Sequence, residues 1–351
     1  ERNLVRMKQY GVLVVDDSAF MRRAISLILE KDSQFFVIGI ARNGIEAIEK
    51  VQRLQPDLVT MDVEMPEMNG LQALKQIMKT SPVPVVMLSS RTGEGAYETL
   101  QALESGAVDF FLKDSLIKVR DDQEKVQEFL HRLKGIAEAK LPRKIEVAPS
   151  QKRVIKKSGQ RQTDLVFIGC STGGPSALQT ILPRIPEDFP VPVVVAQHMP
   201  LGFTKPLADR FNNLCKLRVM EAQSGQTVEV GNIYIAPSGF QTQFERKADG
   251  SVVFRIEKQE GVKALYKPCV DITLHSAAPI YRDRLLSVIL TGMGVDGMQG
   301  CGLVKKYGGH VFVEAEESCV VYGMPKAVLE AGYADKQFLL SRMHQEIISF
   351  V

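Results

Sequence analysis

Val12-Leu13-Val14-Val15-Asp16-Asp17 decides the fold: an apolar run of strand length stops at two adjacent carboxylates. The same event recurs down the chain. Asp62 follows Leu58-Val59-Thr60-Met61, and Lys113 follows Phe110-Phe111-Leu112. Further on, Ser171 comes after Leu165-Val166-Phe167-Ile168, His198 after Val193-Val194-Val195-Ala196, and Asp296 a short loop after Leu286-Ser287-Val288-Ile289-Leu290. Open α/β sheets gather ligands and chemistry at the carboxyl ends of their strands. Two such reactive edges on one chain predict a sensor joined to an enzyme.

At 351 residues the chain exceeds one typical core, so two domains are expected. Its hydrophobic and charged fractions are those of an ordinary globular protein. The longest apolar runs fall short of the roughly 20 residues that span a bilayer, and no signal-peptide pattern opens the chain, so a cytoplasmic location is expected. Cys170, Cys215, Cys269, Cys301 and Cys319 form no C-x-x-C pair and read as reduced thiols, not as a disulfide or zinc framework.

The net charge of +3 is unevenly spread. Residues 140–162 hold eight Lys or Arg against the single acid Glu146, a local net charge of +7 that leaves −4 for the rest. With Pro142, Pro149 and Gly159 and few large apolar residues, this stretch reads as a flexible linker. A nucleic-acid arm is the competing reading of a basic tract. No interleaved aromatics and no recognition-helix pattern support it, so no nucleic-acid partner is expected.

Between Tyr10 and Ala139 strand and helix patterns alternate five times. Strands fall near 11–15, 35–41, 58–62, 83–89 and 107–112, and helices near 18–32, 44–55, 70–80, 95–105 and 115–139. This alternation predicts a parallel sheet wrapped by helices on both faces. Asp16, Asp17 and Asp62 would then meet at one edge as an all-oxygen cluster suited to Mg²⁺, with Lys113 and the hydroxyl of Ser89 or Ser90 in reach of a phosphoryl group. Taken singly, each acid is read as a solvated loop residue; four matched strand ends are harder to explain that way.

Val14-Val15-Asp16-Asp17-Ser18, Met61-Asp62-Val63-Glu64-Met65-Pro66 and Asp109-Phe110-Phe111-Leu112-Lys113 resemble the receiver domain of two-component response regulators. The resemblance covers about the first 120 residues and implies a flavodoxin-like fold. It also implies Asp62 as phosphoacceptor and Mg²⁺ held by Asp17, Asp62 and the Glu64 backbone carbonyl, with Asp16 in an outer shell. Ser89 matches the switch hydroxyl and Phe110 the switch aromatic. One departure is Asp114, where receivers usually carry Pro after the lysine; an altered turn and a weakened lysine charge are the expected consequences.

In the second half, Leu165–Ile168 leads through Gly169-Cys170-Ser171-Thr172-Gly173-Gly174 toward a helix near Pro175, a G-x-S-x-G pattern in nucleophile-elbow context. That geometry exposes the Ser171 hydroxyl and presents the Thr172 amide to an incoming carbonyl; the plainer reading has Ser171 capping the helix. Of five histidines, His131, His275 and His344 fall on helical stretches. The order Ser…Asp…His would select His310, but His310 begins its strand whereas His198 ends one, on the edge of Ser171 and Asp296. The triad read is therefore Ser171, His198 and Asp296, recognised by geometry and not by order. Gly292, Gly294 and Gly297, with Glu314 about 20 residues on, also satisfy a dinucleotide fingerprint. Against it, the pattern closes this domain instead of opening it, and Asp296 would sit beside the pyrophosphate.

Ile168–Pro175, Gln197–Thr204, Tyr234–Pro237, Pro268-Cys269-Val270-Asp271, Leu290–Gly297 and Cys319–Pro325 together resemble the chemotaxis response regulator protein-glutamate methylesterase family (CheB). The resemblance covers the whole chain and implies two doubly wound parallel-sheet α/β domains, a receiver at 8–139 and a methylesterase domain at 163–351, joined by the linker 140–162. It implies phosphorylation-activated hydrolysis of glutamate methyl esters on chemoreceptors, and leaves open receptor glutamine deamidation. A chemotaxis histidine kinase would be the phosphodonor, with the protein peripheral to membrane receptor arrays only. Mg²⁺ belongs to the receiver, and the esterase chemistry is expected to need no cofactor. Thr172 and the loop around Met293 are oxyanion-hole candidates, and the resemblance gives the Thr172 hydroxyl a part in placing His198. Cys269, where the family commonly has Ser, is expected to bear on packing and not on activity. A non-catalytic output domain that binds a partner is the competing reading of the second half. The linker is long enough to fold one domain's edge over the other, so inhibition by the resting receiver is expected.

Overall fold

The computed structural model describes residues 8–90, 93–119, 122–139, 141, 163–258 and 266–351. The chain divides into two compact units, residues 1–142 and 143–351. The predicted linker lies outside the described residues apart from Leu141.

The first unit runs β1 (Tyr10–Val15), α1 (Ala19–Leu29), β2 (Phe35–Ala41), α2 (Gly44–Leu54), β3 (Leu58–Asp62), α3 (Gly70–Thr80), β4 (Val85–Ser89), α4 (Gly93–Glu104), β5 (Asp109–Leu112), α5 (Lys113–Val119) and α6 (Gln123–Ala137). Its five strands are parallel in the order β2-β1-β3-β4-β5. The central β1, β3 and β4 are buried along their whole length, which is why their sequences are unbroken apolar runs. Strand β4 opens at Val85 and not at 83, because Pro84 offers only its carbonyl, accepting Val59 N–H. The helix expected over 115–139 is two helices. Asp122 caps the second, its side chain accepting Lys125 N–H, so the chain re-initiates a helix there instead of continuing one.

The second unit runs β6 (Leu165–Cys170), α7 (Gly174–Ile181), β7 (Val193–Gln197), α8 (Thr204–Leu214), β8 (Arg218–Glu221), β9 (Asn232–Ile235), β10 (Gln241–Arg246), β11 (Val252–Glu257), α9 (Val270–Tyr281), β12 (Leu285–Ile289), α10 (Met298–Lys306), β13 (His310–Glu314), α11 (Met324–Glu330), β14 (Lys336–Phe338) and α12 (Leu340–Phe350). Seven parallel strands follow the order β14-β13-β12-β6-β7-β9-β8, and β10 and β11 form a separate antiparallel ribbon. The strands that lead to Asp296, Ser171 and His198, β12, β6 and β7, are neighbours at the centre. His310 pairs with Leu286 at the amino end of β13, away from the carboxyl edge. Its ring meets Phe350 edge-on at 4.9 Å.

Candidate functional site

In the first unit the carboxyl ends of β1 and β3 deliver Asp16, Asp17 and Asp62, whose ligand oxygens lie within 4.8 Å of one another. Lys113, following β5, sets its ammonium 3.0 Å from Asp16 Oδ2 and 2.5 Å from Asp62 Oδ2. Burial pushes the Asp62 carboxyl up to about 6, the Asp16 charge adding to this and Lys113 opposing it. Burial works against the Lys113 charge too, but Asp62 and Asp16 together hold its pKa above the usual lysine value. An open cavity of about 540 Å³ fronts the cluster, lined by Asp17, Asp62, Glu64, Ser90 and Lys113 among others. Three carboxylates around one point form a hard, all-oxygen donor set, which fits Mg²⁺.

The two serines at the end of β4 divide. Ser90 lines the cavity and donates to Glu64 Oε1 at 3.3 Å. Ser89 is fully buried and turned into α4, accepting from Thr99 Oγ1 at 2.7 Å. Phe110 is likewise buried. Asp114 is exposed in the first turn of α5, where the helix dipole favours an acid, and makes no ion pair with Lys113. The helix starts directly at Lys113, so the tight turn takes helical form.

The second unit meets its edge with a glycine in the same way as the first. A Cβ on Gly70 would sit 1.9 Å from the Asp62 carbonyl oxygen, and one on Gly174 the same 1.9 Å from Gln197 Oε1. Only glycine lets these two helices start so close to the strand ends. Helix α7 begins at Gly174 behind Gly173 as N-cap, so Ser171 is not the helix cap. Its peptide is pinned instead: Ser171 N–H donates to Thr291 O at 3.0 Å, and Gln197 Nε2 donates to Ser171 O at 3.0 Å.

His198 follows β7, its N–H on Cys170 O at 3.1 Å. Its Nε2 lies 2.8 Å from Asp296 Oδ2, and the ring stacks flat on Tyr266, centroids 4.0 Å apart. A carboxylate only accepts, so the neutral imidazole keeps its proton on Nε2 and leaves the Nδ1 lone pair free. Nδ1 is buried and finds no hydrogen-bond partner among the described residues, so in this resting geometry Ser171 Oγ does not engage it. Catalytic contacts of this kind commonly tighten only when substrate binds.

Asp296 is cradled at the start of α9. Oδ2 accepts Val270 N–H at 2.7 Å, and Oδ1 accepts Asp271 N–H at 2.9 Å and the Cys269 thiol at 3.2 Å. Burial works against its charge, yet His198 and these two amides hold Asp296 below the usual carboxylate range. The favour is returned: Asp271 Oδ1 accepts Gly297 and Gly300 N–H, so each helix, α9 and α10, is capped by a carboxylate from beside the other. Cys269, expected to bear on packing and not on activity, therefore also touches the Asp296 carboxylate. Gly292 backs onto Ser171, since a Cβ there would lie 2.8 Å from Ser171 Cβ, and this brings the Met293 loop beside Ser171. Thr172, nearly buried, has its carbonyl held by Thr291 Oγ1 at 3.0 Å. Glu314 points inward to Thr291 N–H and has no exposed surface, so the dinucleotide reading loses its ribose ligand.

Gln197, Tyr266, Thr291 and the α9 amides are the residues that sequence reasoning missed. Gln197 left a signal of its own, a polar residue ending the otherwise apolar β7, while Thr291, Val270 and Asp271 lie in stretches that carry the family resemblance and Tyr266 in none of them.

Residues 166–347 match the CheB methylesterase family and residues 12–119 the response regulator receiver domain. A protein from Thermotoga maritima named protein-glutamate methylesterase/protein-glutamine glutaminase is 43% identical, covering 97% of this chain and 98% of its own. One of the same name from Vibrio parahaemolyticus is 42% identical, covering 96% of this chain and 97% of its own. Among solved structures, the crystal structure of the Thermotoga maritima CheB methylesterase catalytic domain is similar, with a TM-score of 0.52 and 45% identity over 54% of this chain and 100% of that one.

Proposed function

The chain belongs to the CheB family of protein-glutamate methylesterases/protein-glutamine glutaminases, and from that premise we propose that it hydrolyses glutamate methyl esters on chemoreceptors under the control of Asp62 phosphorylation. Receptor glutamines are deamidated by the same acyl chemistry. A receiver at 8–139 reads the signal, the linker 140–162 carries it, and the domain at 163–351 performs the hydrolysis.

His198 Nδ1 takes the Ser171 hydroxyl proton as Oγ attacks the ester carbonyl, and Nε2–H stays on Asp296, which stabilises the imidazolium as it forms. The Thr172 N–H and the Met293 loop receive the oxyanion, each donor being worth about 3–4 kcal/mol. The proton passes from His198 to the departing methoxide, methanol leaves, and water attacks the γ-glutamyl ester of Ser171. The observation that carries this reading is the His198 ring itself: one nitrogen is tied to Asp296, and the other is buried and has no partner among the described residues.

In the receiver, Asp62 attacks the phosphodonor, a chemotaxis histidine kinase. Asp17, Asp62 and the Glu64 carbonyl would hold Mg²⁺, with Asp16 behind them, and the bound ion would supply charge neutralisation for the phosphoryl group. Lys113 pairs with the new phosphoryl oxygens, and Ser89 leaves Thr99 to follow them, with Phe110 moving in step. We place the protein in the cytoplasm, peripheral to the receptor membrane. No helix among the described residues is long and apolar enough to cross one.

Methanol release from methylated receptor tests the reading. Wild type releases methanol, more so with a small phosphodonor and Mg²⁺, and Ser171→Ala does not. Residues 163–351 alone release it faster than the unphosphorylated full chain, and phosphorylation narrows that gap. A fragment that is folded yet slower than the resting full chain refutes inhibition by the receiver. If Ser171 resists a serine-directed phosphonate, the second domain is a binding module and not an esterase.

A further inference from the structure

Glu314 is a carboxylate without a cation. It ends β13 with no exposed surface, and among the described residues no Lys, Arg or His pairs with it. Its Oε2 accepts Thr291 N–H at 2.8 Å and its Oε1 the Ser318 hydroxyl at 3.0 Å. Burial pushes its carboxyl up to about 7. A buried acid in this position is costly to keep, and its partners show what it is kept for.

Thr291 is the residue it holds. The Thr291 carbonyl accepts Ser171 N–H at 3.0 Å, and the hydroxyl donates to Thr172 O at 3.0 Å while accepting Val321 N–H at 3.0 Å. Gly292 N–H completes the link with a bond to Val321 O, also at 3.0 Å. Strands β13, β12 and β6 are adjacent, so Glu314, Thr291 and Ser171 tie three neighbouring strand ends in series. From the far side β7 contributes Gln197 to the Ser171 carbonyl. The Ser171 backbone is held on one side by the Thr291 carbonyl, itself anchored by Glu314, and on the other by the Gln197 side chain.

We propose that Glu314 is a positioning residue: through Thr291, which holds Ser171 N–H and Thr172 O, it fixes the backbone on either side of the Ser171–Thr172 peptide, and so aims both the nucleophile and the Thr172 N–H at the scissile carbonyl. This rests on Ser171 being the nucleophile. Glu314 touches no reacting atom, and its effect appears in the chemical step and not in substrate binding. A misplacement of about 1 Å at such a site costs on the order of a hundredfold in rate.

The test uses the intact protein, a fluorophosphonate probe for the covalent labelling rate, methanol release for kcat and KM, and thermal melts. Glu314→Ala is expected to slow labelling and lower kcat by at least about tenfold at temperatures where it is folded, with KM within about twofold. Glu314→Gln keeps an acceptor for Thr291 N–H and can donate to Ser318 Oγ, whose own proton turns to Ala315 O at 3.2 Å. It is expected to label within about threefold of wild type. A folded Glu314→Ala that labels like wild type overturns the proposal, as does a Glu314→Gln no better than Ala. Should Glu314→Ala fail to fold, Thr291→Val decides. It deletes the hydroxyl link to Thr172 and is expected to lose about tenfold in labelling while melting near wild type, and an unchanged rate overturns the proposal. Failure of the underlying reading looks different: wild type itself would not label at Ser171.

Discussion

Asp62 and Asp296 both end up buried at the carboxyl edge of a parallel sheet, 2% and 7% exposed, yet their surroundings push them in opposite directions. Asp62 has the Lys113 ammonium and one backbone donor, Glu64 N–H at 3.2 Å, with the Asp16 carboxylate crowding in. Asp296 has two amides, a thiol and an imidazole. The first is driven up to about 6 and the second down. Burial is common to both, so donor count and the neighbouring charge decide the sign. An acid left short of donors at an open cavity is suited to bind a cation or attack a phosphorus. An acid saturated by a helix start is suited to hold its charge and orient a base.

The largest effect expected from this contrast is in the second unit. His198→Gln should lower turnover at least about a thousandfold, as for any member of a serine triad, and Asp296→Asn by as much or somewhat less. His310→Gln, at the amino end of β13, should stay within about twofold. If His310→Gln abolished methanol release and His198→Gln did not, the strand-polarity argument would collapse. In the first unit the corresponding change is Asp62→Asn. It should block addition of the single phosphoryl group seen by intact mass and hold turnover at the resting rate. Lys113→Ala should still accept some phosphoryl yet lose the coupling to output. Full labelling of Asp62→Asn would remove the receiver side of the comparison.

Both edges were legible in the sequence for one physical reason. Strands buried on both faces must be apolar, so the first polar residue after each run marks the strand end. That is how Asp16, Asp62 and Ser171 stand out; after β7 the first polar residue is Gln197, and His198 comes directly behind it. Two kinds of feature were not legible. Strands whose buried positions are polar, such as β10 with Gln241 and Thr242 buried, carry no apolar run and were not foreseen. The break between α5 and α6 was also missed, because Asp122 caps a helix only once the chain has turned. At the site, the Asp296 cradle is made of Val270 and Asp271 N–H groups from 25 and 26 residues earlier in the chain. Any residue type supplies an N–H, so no side chain announces it. Cys269 carried a signal in its departure from the family's usual Ser, but only the geometry ties that departure to Asp296.

Glu314 sharpens the comparison as a third buried acid, with three donors, Thr291 N–H, the Ser318 hydroxyl and the Cys319 thiol, where Asp296 has four, and with no imidazole among them. Its folded-state pKa of about 7 lies above the unfolded 4.5, so the folded state binds the proton more tightly and stability falls as pH rises through that window. Glu314→Gln cannot ionise and escapes the fall. Its stability relative to wild type should improve by on the order of 3 kcal/mol between pH 4.5 and pH 8, read from urea melts of the second unit. Asp296 runs the other way. Its depressed folded pKa contributes stability above the unfolded value of 3.8, lost as pH falls through the folded one. The deficit of Asp296→Asn should therefore be largest near neutral pH and shrink below about pH 4. Two variants with the same pH trend would mean that donor number does not set the sign.

The smallest expected effect probes the weakest donor on Asp296. The Cys269 thiol lies 3.2 Å from Oδ1, and burial, with Asp296 beside it, pushes the thiol up to about 12, so it stays protonated and donates at every working pH. A thiol is a weak donor, and Cys269→Ala leaves the two amides and His198 in place. Turnover should fall by no more than about threefold, because three stronger donors still fix the carboxylate. Cys269→Ser restores a donor of better strength in the same position, since a hydroxyl reaches about 2.7 Å where a thiol stands off. It should match or exceed wild type in the rate of phosphonate labelling at Ser171. A folded Cys269→Ala that lost more than about tenfold would show that the thiol, and not the helix start, sets the direction of Asp296, and the saturation that separates it from Asp62 would have to be counted differently.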